Sequence, residues 1–227
     1  MPSNQNDQKQ QDISPEAREH FYDVLYGRRD VRGQFLTDPI PDTVLTNILH
    51  AAHHAPSVGL SQPWNFILIR DPKKRQQIYE AFVSANDEAA LMFEGDRRNQ
   101  YQALKLQGIL DTPINVCITC DRKRGGPVVL GKTHQAEMDL YSTVCAVQNF
   151  WLAARAENVG VGWVSIIEKS TLSALLNLPD GVVPVAYLCV GYVSEFLKKP
   201  ELELAHWEKR AQLNDMIFTD AWGETSA

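Results

Sequence analysis

Four short apolar runs, separated by longer helical patterns, restrict the fold of this chain more than any other feature of its sequence. Each run is continuous and bounded by turn residues, which is typical of a buried strand. The runs lie at 66–69, 114–119, 161–167 and 182–190. No repeat and no linker divides them, so the 227-residue chain is expected to form one α+β domain over 14–227.

Helix boundaries are predicted from capping residues. Ser14 is a predicted N-cap, a proline follows it, and Gly27 ends this first helix. Proline and aspartate pairs at 41–42 and 71–72 open two further helices. Residues 84–107 lose the apolar periodicity, and we interpret them as a helical but mobile segment that serves as a lid.

The longest helical pattern runs from about 137 to 157 and is apolar around most of its circumference. A helix of this kind belongs in a core or in a subunit interface. A short helix is predicted at 169–177, and the tail that begins at Pro200 is charged and aromatic. The tail has little core of its own, which favours packing on a partner subunit.

Composition and charge exclude several classes of protein. The net charge of −6 argues against binding to nucleic acid, which requires a basic surface. No run approaches the roughly 18 apolar residues that span a bilayer. Residues 1–13 are polar, without the pattern of a secretory signal, and are interpreted as a disordered tail of a cytoplasmic protein.

The cysteines and two glycines are interpreted as structural. Cys117 and Cys120 are spaced like a redox pair, but they fall inside a predicted strand, whereas such a pair opens a helix. Cys145 and Cys189 lie among apolar residues and are expected to be reduced core residues. The sequence Gly160-Val-Gly162 precedes a strand, which indicates close backbone packing rather than a nucleotide loop.

Two polar segments concentrate the residues suited to a ligand. Residues 28–32, Arg-Arg-Asp-Val-Arg, place three guanidiniums within five positions, and arginine presents donors that match phosphate oxygens. Taken alone, this segment is better explained as a solvated basic turn with Asp30 as counter-charge. Residues 55–65, Ala-Pro-Ser-Val-Gly-Leu-Ser-Gln-Pro-Trp-Asn, offer backbone amides and short polar groups to a flat polar ligand.

Together the two segments resemble the FMN-dependent nitroreductase family, and the resemblance covers about 21–222. The sequences at 27–32 and at 162–166, Gly-Trp-Val-Ser-Ile, are similar to a branch that breaks reduced FMN down to 5,6-dimethylbenzimidazole, the lower ligand of cobalamin. The resemblance implies a central, mostly antiparallel sheet flanked by helices. It also implies a homodimer with FMN at the subunit boundary and a C-terminal extension that wraps around the partner.

The resemblance assigns cofactor contacts to the arginine segment and the tail. Arg28 is expected to bind the FMN phosphate and Arg32 to lie beside the pyrimidine edge, with Arg29 supporting the loop. Val31 belongs to the same cofactor-binding segment. Lys209 or Arg210 is similar to the basic residue that closes the phosphate site.

The resemblance assigns further contacts to the second segment and to the lid. Ser57, Gly59 and Ser61 are expected to line the flavin ring, with the Gly59 amide near the place where dioxygen meets it. Met92, in the predicted lid, resembles a residue that covers the site.

Two departures from the common family pattern imply the reaction. Asp30 stands where a small hydroxyl residue is usual, and Val164-Ser165-Ile166 stands where an acid–glycine pair is usual. Both match the flavin-fragmenting branch, in which Asp30 is expected to act as a base beside the ribityl chain and Ser165 to act at flavin N5. The implied reaction consumes dioxygen and reduced FMN from a flavin reductase, uses no metal, and releases erythrose 4-phosphate.

Other interpretations stay open from the sequence. The chain also fits an NAD(P)H-dependent nitroreductase or flavin reductase with bound FMN, or an FMN carrier without catalysis. The protonation of Asp30 is undecided, because neighbouring arginines keep a carboxyl ionised while burial raises its pKa. His53 and His54 are expected to be structural, because adjacent helical side chains point in different directions.

Overall fold

The computed structural model describes residues 12–223. The predicted disordered tail, 1–13, falls outside the described residues except for Asp12 and Ile13, which are exposed. The last four residues of the predicted domain also lie outside them.

Seven α-helices and four strands are found in residues 12–223. The helices are α1 (Pro15–Gly27), α2 (Asp42–His53), α3 (Pro72–Ala90), α4 (Gly95–Ala103), α5 (Met138–Ala156), α6 (Lys169–Leu175) and α7 (Glu201–Leu204). The strands are β1 (Trp64–Ile69), β2 (Ile114–Asp121), β3 (Val159–Val164) and β4 (Val182–Tyr192). All four predicted strands and the predicted cap of α1 are confirmed, since the Ser14 hydroxyl accepts the Ala17 N–H at 3.2 Å.

The strands form one sheet in the order β1-β2-β4-β3, and every neighbouring pair is antiparallel. The predicted α+β class with an antiparallel sheet is therefore confirmed. Strand β2 is buried along almost its whole length because β1 and β4 flank it and helices cover its faces. The core cluster that includes Ile48, Phe150 and Leu188 lies between the sheet and helices α2 and α5.

Helix α5 is only partly a core helix. Phe150 and Trp151 are buried, as predicted, but Tyr141, Val144 and Cys145 are exposed. The expectation that Cys145 is a core residue is wrong, because this side of α5 faces away from the sheet. Cys117, Cys120 and Cys189 are buried free thiols on strands, as predicted.

Helix α1 also leaves apolar side chains uncovered. None of its residues is buried, and Phe21, Tyr22, Leu25 and Tyr26 are exposed. A contiguous apolar surface of this kind marks an interaction site in a folded protein. The exposed sides of α1 and α5 are the structural basis for expecting a second subunit.

The predicted lid is helical over much of its length. Helix α3 continues to Ala90, and α4 follows after a short turn. The Arg98 side chain closes this turn by donating to the carbonyl oxygens of Ala90 and Phe93, at 3.1 and 2.8 Å. Mobility of the segment stays a prediction. Among residues 12–223, no helix is long and apolar enough to cross a membrane.

Candidate active site

The arginine segment, which we call the arginine turn (28–32), is fixed to the edge of the sheet. The Val31 N–H donates to the Val161 carbonyl at 3.0 Å, and Asp30 pairs with Val161 as a parallel bridge. Glycine is required at position 162, because a Cβ there would lie 2.2 Å from the Val31 carbonyl oxygen. The predicted close packing at Gly160-Val-Gly162 is therefore confirmed. Val31 itself is 2% exposed and belongs to the buried core.

Asp30 and Arg32 form an ion pair against strand β3. Asp30 Oδ1 accepts from Arg32 Nη1 at 2.8 Å, and Oδ2 lies 2.5 Å from Nη2. The backbone of Trp163 holds both side chains, because its N–H donates to Asp30 Oδ1 at 2.9 Å and its carbonyl accepts from Arg32 Nη2 at 2.7 Å. Both side chains are therefore oriented before any ligand binds.

The surroundings of Asp30 shift its titration toward higher pH. Burial raises the pKa of Asp30 above its ordinary value of 3.8, and Arg32, the Trp163 N–H and Arg28 oppose that shift only in part. The side chain is nevertheless 43% exposed, because it borders an open cavity. Burial therefore outweighs the arginines in setting the direction of this shift.

A second group of guanidiniums lies next to this pair. Arg28 lies over the Trp151 ring, at 4.9 Å from its centroid, and Arg29 donates to the carbonyl oxygens of Tyr26 and Lys198. Burial lowers the pKa of Arg28 and of Arg29, and the positive charge of Arg210 lowers both further. In residues 12–223, Arg28, Arg29 and Arg210 form no ion pair with a carboxylate. Such an arrangement favours an anionic ligand.

These side chains border a cavity of about 430 Å³. Its walls are the arginine turn, the segment 103–106 that follows α4, and the tail around α7. The charged side chains among its lining residues are Arg28, Arg29, Asp30, Arg32, Lys105, Glu201 and Arg210. The volume lies within the range of small-molecule sites, roughly 300–1,000 Å³.

Sequence reasoning missed Glu201, whereas the segment 103–106 lies within the predicted lid, 84–107, and borders the cavity. One carboxylate oxygen of Glu201 is buried without a hydrogen-bond partner, and burial raises the pKa of this carboxyl. In the sequence Glu201 is one of several acidic residues in a charged tail, so no local pattern distinguishes it as a residue of the cavity.

The tail residues and Ser165 divide between the cavity and its surroundings. Arg210 lines the cavity, whereas Lys209 is exposed and does not line it. Ser165 follows β3 directly, two residues beyond Trp163, but it borders a separate depression of about 170 Å³. The structure therefore attaches Asp30 to the same strand that leads to Ser165 without placing both in one cavity of a single chain.

The 57–62 loop lies elsewhere on the molecule. Its Val58 N–H donates to the hydroxyl of Ser142, near the start of α5, at 3.0 Å. The arginine turn instead accepts, through the Arg29 carbonyl, a hydrogen bond from the Trp151 indole. These positions are nine residues apart on α5, which corresponds to about 14 Å along the helix axis. One chain therefore does not bring Ser57, Gly59 and Ser61 to the arginine-lined cavity.

The 57–62 loop has a constrained shape. Gly59 has a φ of +54°, and a Cβ at this position would lie 2.9 Å from the Leu130 carbonyl oxygen. The Ser57 hydroxyl accepts the Gln62 N–H at 3.0 Å, while the Ser61 hydroxyl is buried without a partner. Leu60, at the tip, is 78% exposed. The loop is thus ordered by its own contacts and presents its tip outward.

Met92 lies in the turn between α3 and α4, where its side chain is 81% exposed. It does not line the arginine-lined cavity in the described chain. His53 and His54 have separate partners, since His53 Nδ1 accepts from the Trp64 indole at 3.1 Å and His54 Nδ1 lies 2.7 Å from the His50 carbonyl oxygen. Within residues 12–223, no group of three or more His, Cys, Asp or Glu side chains is arranged to hold a metal ion.

Comparison with known proteins gives consistent results. The sequence pattern of the Nitroreductase family matches residues 25–192. A 5,6-dimethylbenzimidazole synthase of Rhodospirillum rubrum is 38% identical over 198 residues, which cover 87% of this chain and 93% of that protein. One from Rhodobacter capsulatus is 36% identical over 85% of this chain and 92% of that protein.

The fold is also found in solved structures. Oxidised iodotyrosine deiodinase bound to FMN and 3-iodo-L-tyrosine superimposes with a TM-score of 0.68 and 20% identity, covering 85% of this chain and 96% of that one. At this identity the likeness shows the fold alone, which confirms the predicted nitroreductase-like architecture. The matched family pattern and the two bacterial relatives go further, and we conclude that the chain belongs to the nitroreductase family.

Proposed function

We propose that this protein fragments reduced FMN in the presence of dioxygen and releases 5,6-dimethylbenzimidazole and erythrose 4-phosphate. The observation that carries the proposal is the position of Asp30, a carboxylate held in a cavity of ligand size beside three guanidiniums that have no carboxylate partner among residues 12–223. The relatives named 5,6-dimethylbenzimidazole synthase support the same reaction.

The charges along the cavity match the parts of FMN. The guanidiniums of Arg28, Arg29 and Arg210 lack a carboxylate partner among the described residues, and a phosphate would supply the missing negative charge. The ribityl arm attached to that phosphate would then pass Asp30, and Arg32 would meet the pyrimidine edge. Val31 supports this end through its backbone bond to β3.

The side chains of this protein have two tasks in the proposed reaction. Asp30, when ionised, accepts a proton from the ribityl chain, and its raised pKa brings it closer to the range useful for a general base. Ser165 donates a hydrogen bond in the N5 region. Reduced FMN itself supplies the electrons for dioxygen, so no metal is required. A flavin reductase is the proposed source of reduced FMN.

The remaining contacts require a second subunit. We assign Ser57, Gly59, Ser61 and Met92 to the flavin ring and its cover, although one chain holds the 57–62 loop about 14 Å away along α5. A homodimer packed through the exposed apolar sides of α1 and α5 would carry the partner's loop to the cavity. The exposed end of the tail, including Leu213, Met216 and Trp222, would wrap around that partner.

A reducing compartment suits the protein, because its three buried strand cysteines are free thiols. The proposed place of action is the cytoplasm.

Aerobic product analysis tests the proposal. The protein is mixed with reduced FMN under anaerobic conditions, air is admitted, and the products are separated and identified by mass spectrometry. We expect 5,6-dimethylbenzimidazole in proportion to flavin lost, with the same yield when a chelator is present. Quantitative reoxidation to FMN would contradict the proposal. Rapid NAD(P)H oxidation with a nitroaromatic acceptor and intact flavin would instead identify a reductase.

A further inference from the structure

An aromatic cluster lies beside the cavity and includes none of the residues assigned to the flavin. Trp207, in the tail, makes an edge contact with Phe93 at 5.3 Å between ring centroids, and Phe93 stacks on Tyr101 at 4.8 Å. The Arg97 guanidinium lies 3.4 Å from the centroid of the Trp207 ring. Arg97 Nη2 also donates to the Trp207 carbonyl at 3.0 Å. We call the Arg97–Trp207 contact the clasp.

The backbone around Trp207 is shaped to make this contact. The Trp207 N–H donates to the Leu202 carbonyl at 2.9 Å, and His206 before it has a φ of +54°. A left-handed residue at the end of a helix turns the chain sharply. The turn directs Trp207 toward the start of α4, where Arg97 lies.

Trp207 is the last firmly attached residue before Arg210. The Glu208 N–H makes a long bond of 3.4 Å to Leu202, and the Lys209 N–H bonds only to the neighbouring Glu208 side chain. Residues 208–217 are exposed. Because three residues reach at most about 10 Å, the position of Trp207 confines Arg210 to the vicinity of the cavity.

We propose that Trp207 and Arg97 are positioning residues that act through Arg210: the clasp holds the tail so that the Arg210 guanidinium faces the arginine-lined end of the cavity. This inference rests on the proposed function, in which that end receives the FMN phosphate. Without the clasp the tail samples other positions. Arg210 then keeps its charge but is no longer held facing the cavity. The loss therefore affects a phosphorylated flavin and spares an unphosphorylated one.

Binding of oxidised FMN and riboflavin, followed by quenching of flavin fluorescence, tests the proposal without turnover. We expect Arg97→Ala to weaken FMN binding roughly fivefold, in keeping with a cation–π contact plus a hydrogen bond, and riboflavin binding less than about twofold. Trp207→Leu should behave in the same way, whereas Trp207→Phe, which keeps a ring beneath Arg97, should restore most of the FMN affinity. Arg70→Ala is the matched control, because Arg70 pairs with Asp42 on the surface and does not line the cavity.

A double-mutant cycle decides whether the effect passes through Arg210. On an Arg210→Ala background, Arg97→Ala should change FMN affinity by less than about twofold, because the group being positioned is already absent. Equal weakening of FMN and riboflavin, or a full effect on that background, would overturn the proposal. A wild-type protein that binds FMN no better than riboflavin would instead overturn the phosphate site of the proposed function.

Discussion

The arginine turn and the 57–62 loop were predicted to form one site together, yet within one chain only the arginine turn lines the cavity. The arginine turn is bonded to β3, packed on Trp151 and enclosed by the tail, so its charges already face a cavity. The 57–62 loop is equally well ordered but lies at the other end of α5, with Leu60 exposed. The arginine turn thus reaches the cavity within one chain. The 57–62 loop has a defined shape, but it does not reach the cavity of its own chain.

The different positions of the arginine turn and the 57–62 loop separate two proposed functions: binding of phosphate with acceptance of a proton, and lining of the flavin ring. The groups proposed to bind phosphate and accept a proton depend on intrachain contacts. The groups proposed to line the flavin ring lie away from the cavity within one chain, so the proposal requires a second chain to bring them there. Changes at the arginine turn should therefore affect chemistry or phosphate affinity, while changes at the 57–62 loop should be correctable by a partner subunit.

The largest effect is expected at Asp30. Asp30→Asn keeps the size and much of the hydrogen bonding of the side chain but removes the base, so product formation should fall about 10²- to 10⁴-fold. FMN affinity should stay within about threefold of wild type. Product is measured by mass spectrometry after aerobic mixing, and affinity by flavin fluorescence.

Asp42→Asn is the control for Asp30→Asn, because Asp42 is an exposed carboxylate paired with Arg70 outside the cavity. It should leave both quantities unchanged. Loss of FMN binding in Asp30→Asn would make the residue structural, and unchanged product would remove it from the chemistry.

A smaller effect, confined to binding, is expected at Arg28. A hydrogen bond to a charged group contributes about 1.5–3 kcal/mol, so Arg28→Ala should weaken FMN binding roughly 10- to 100-fold. Riboflavin, which lacks the phosphate, should bind nearly as before. Arg70→Ala, which removes a surface arginine outside the cavity, provides the comparison. If FMN and riboflavin lost affinity equally, Arg28 would serve the ring or the fold rather than the phosphate.

Much of the fold could be predicted from the sequence because its signals are local. Continuous apolar runs predicted all four strands, and Ser14 and Gly27 predicted the limits of α1. Cys145 was assigned to the core because apolar spacing alone does not distinguish a core from an interface; the structure places it on the exposed side of α5. The order of the strands depends on pairing between distant residues, which periodicity does not report.

Residues of the site could be predicted from the sequence only where the type of side chain itself indicates what it binds or which reaction it supports. Clustered guanidiniums around Asp30 indicated an anion and a base, whereas Glu201 and the clasp at Trp207 arise from the turn of the tail back onto the cavity. Choosing between Lys209 and Arg210 also required coordinates, since both are basic and adjacent.

Subunit complementation addresses the two regions together. Chains carrying Asp30→Asn and chains carrying Gly59→Ala, whose methyl group would meet the Leu130 carbonyl, should each be inactive alone. If a site takes Asp30 from one subunit and the 57–62 loop from the other, each mixed dimer contains one intact site. Mixed dimers purified away from the two parental dimers should therefore show about half of wild-type activity.

The complementation experiment is done by coexpressing the two chains with different affinity tags and purifying through both. Each variant coexpressed with itself is the control for residual activity. An inactive mixed dimer would mean that Asp30 and the 57–62 loop of one chain serve the same site, and a folded, active monomer on gel filtration would contradict the shared site directly.

The smallest effect is a shift in the pH dependence of the reaction, and we expect it to come from Asp30 in the arginine turn. Burial raises the pKa of Asp30, and a base works only when ionised, so the rate of product formation should fall as the pH is lowered through that raised value. The acid limb should therefore lie above 3.8, the ordinary value for this carboxyl. Burial also raises the pKa of Glu201, which faces Arg32 and Asp30. Glu201→Gln should keep the limb if Asp30 is the base, whereas its disappearance in that variant would assign the titration to Glu201.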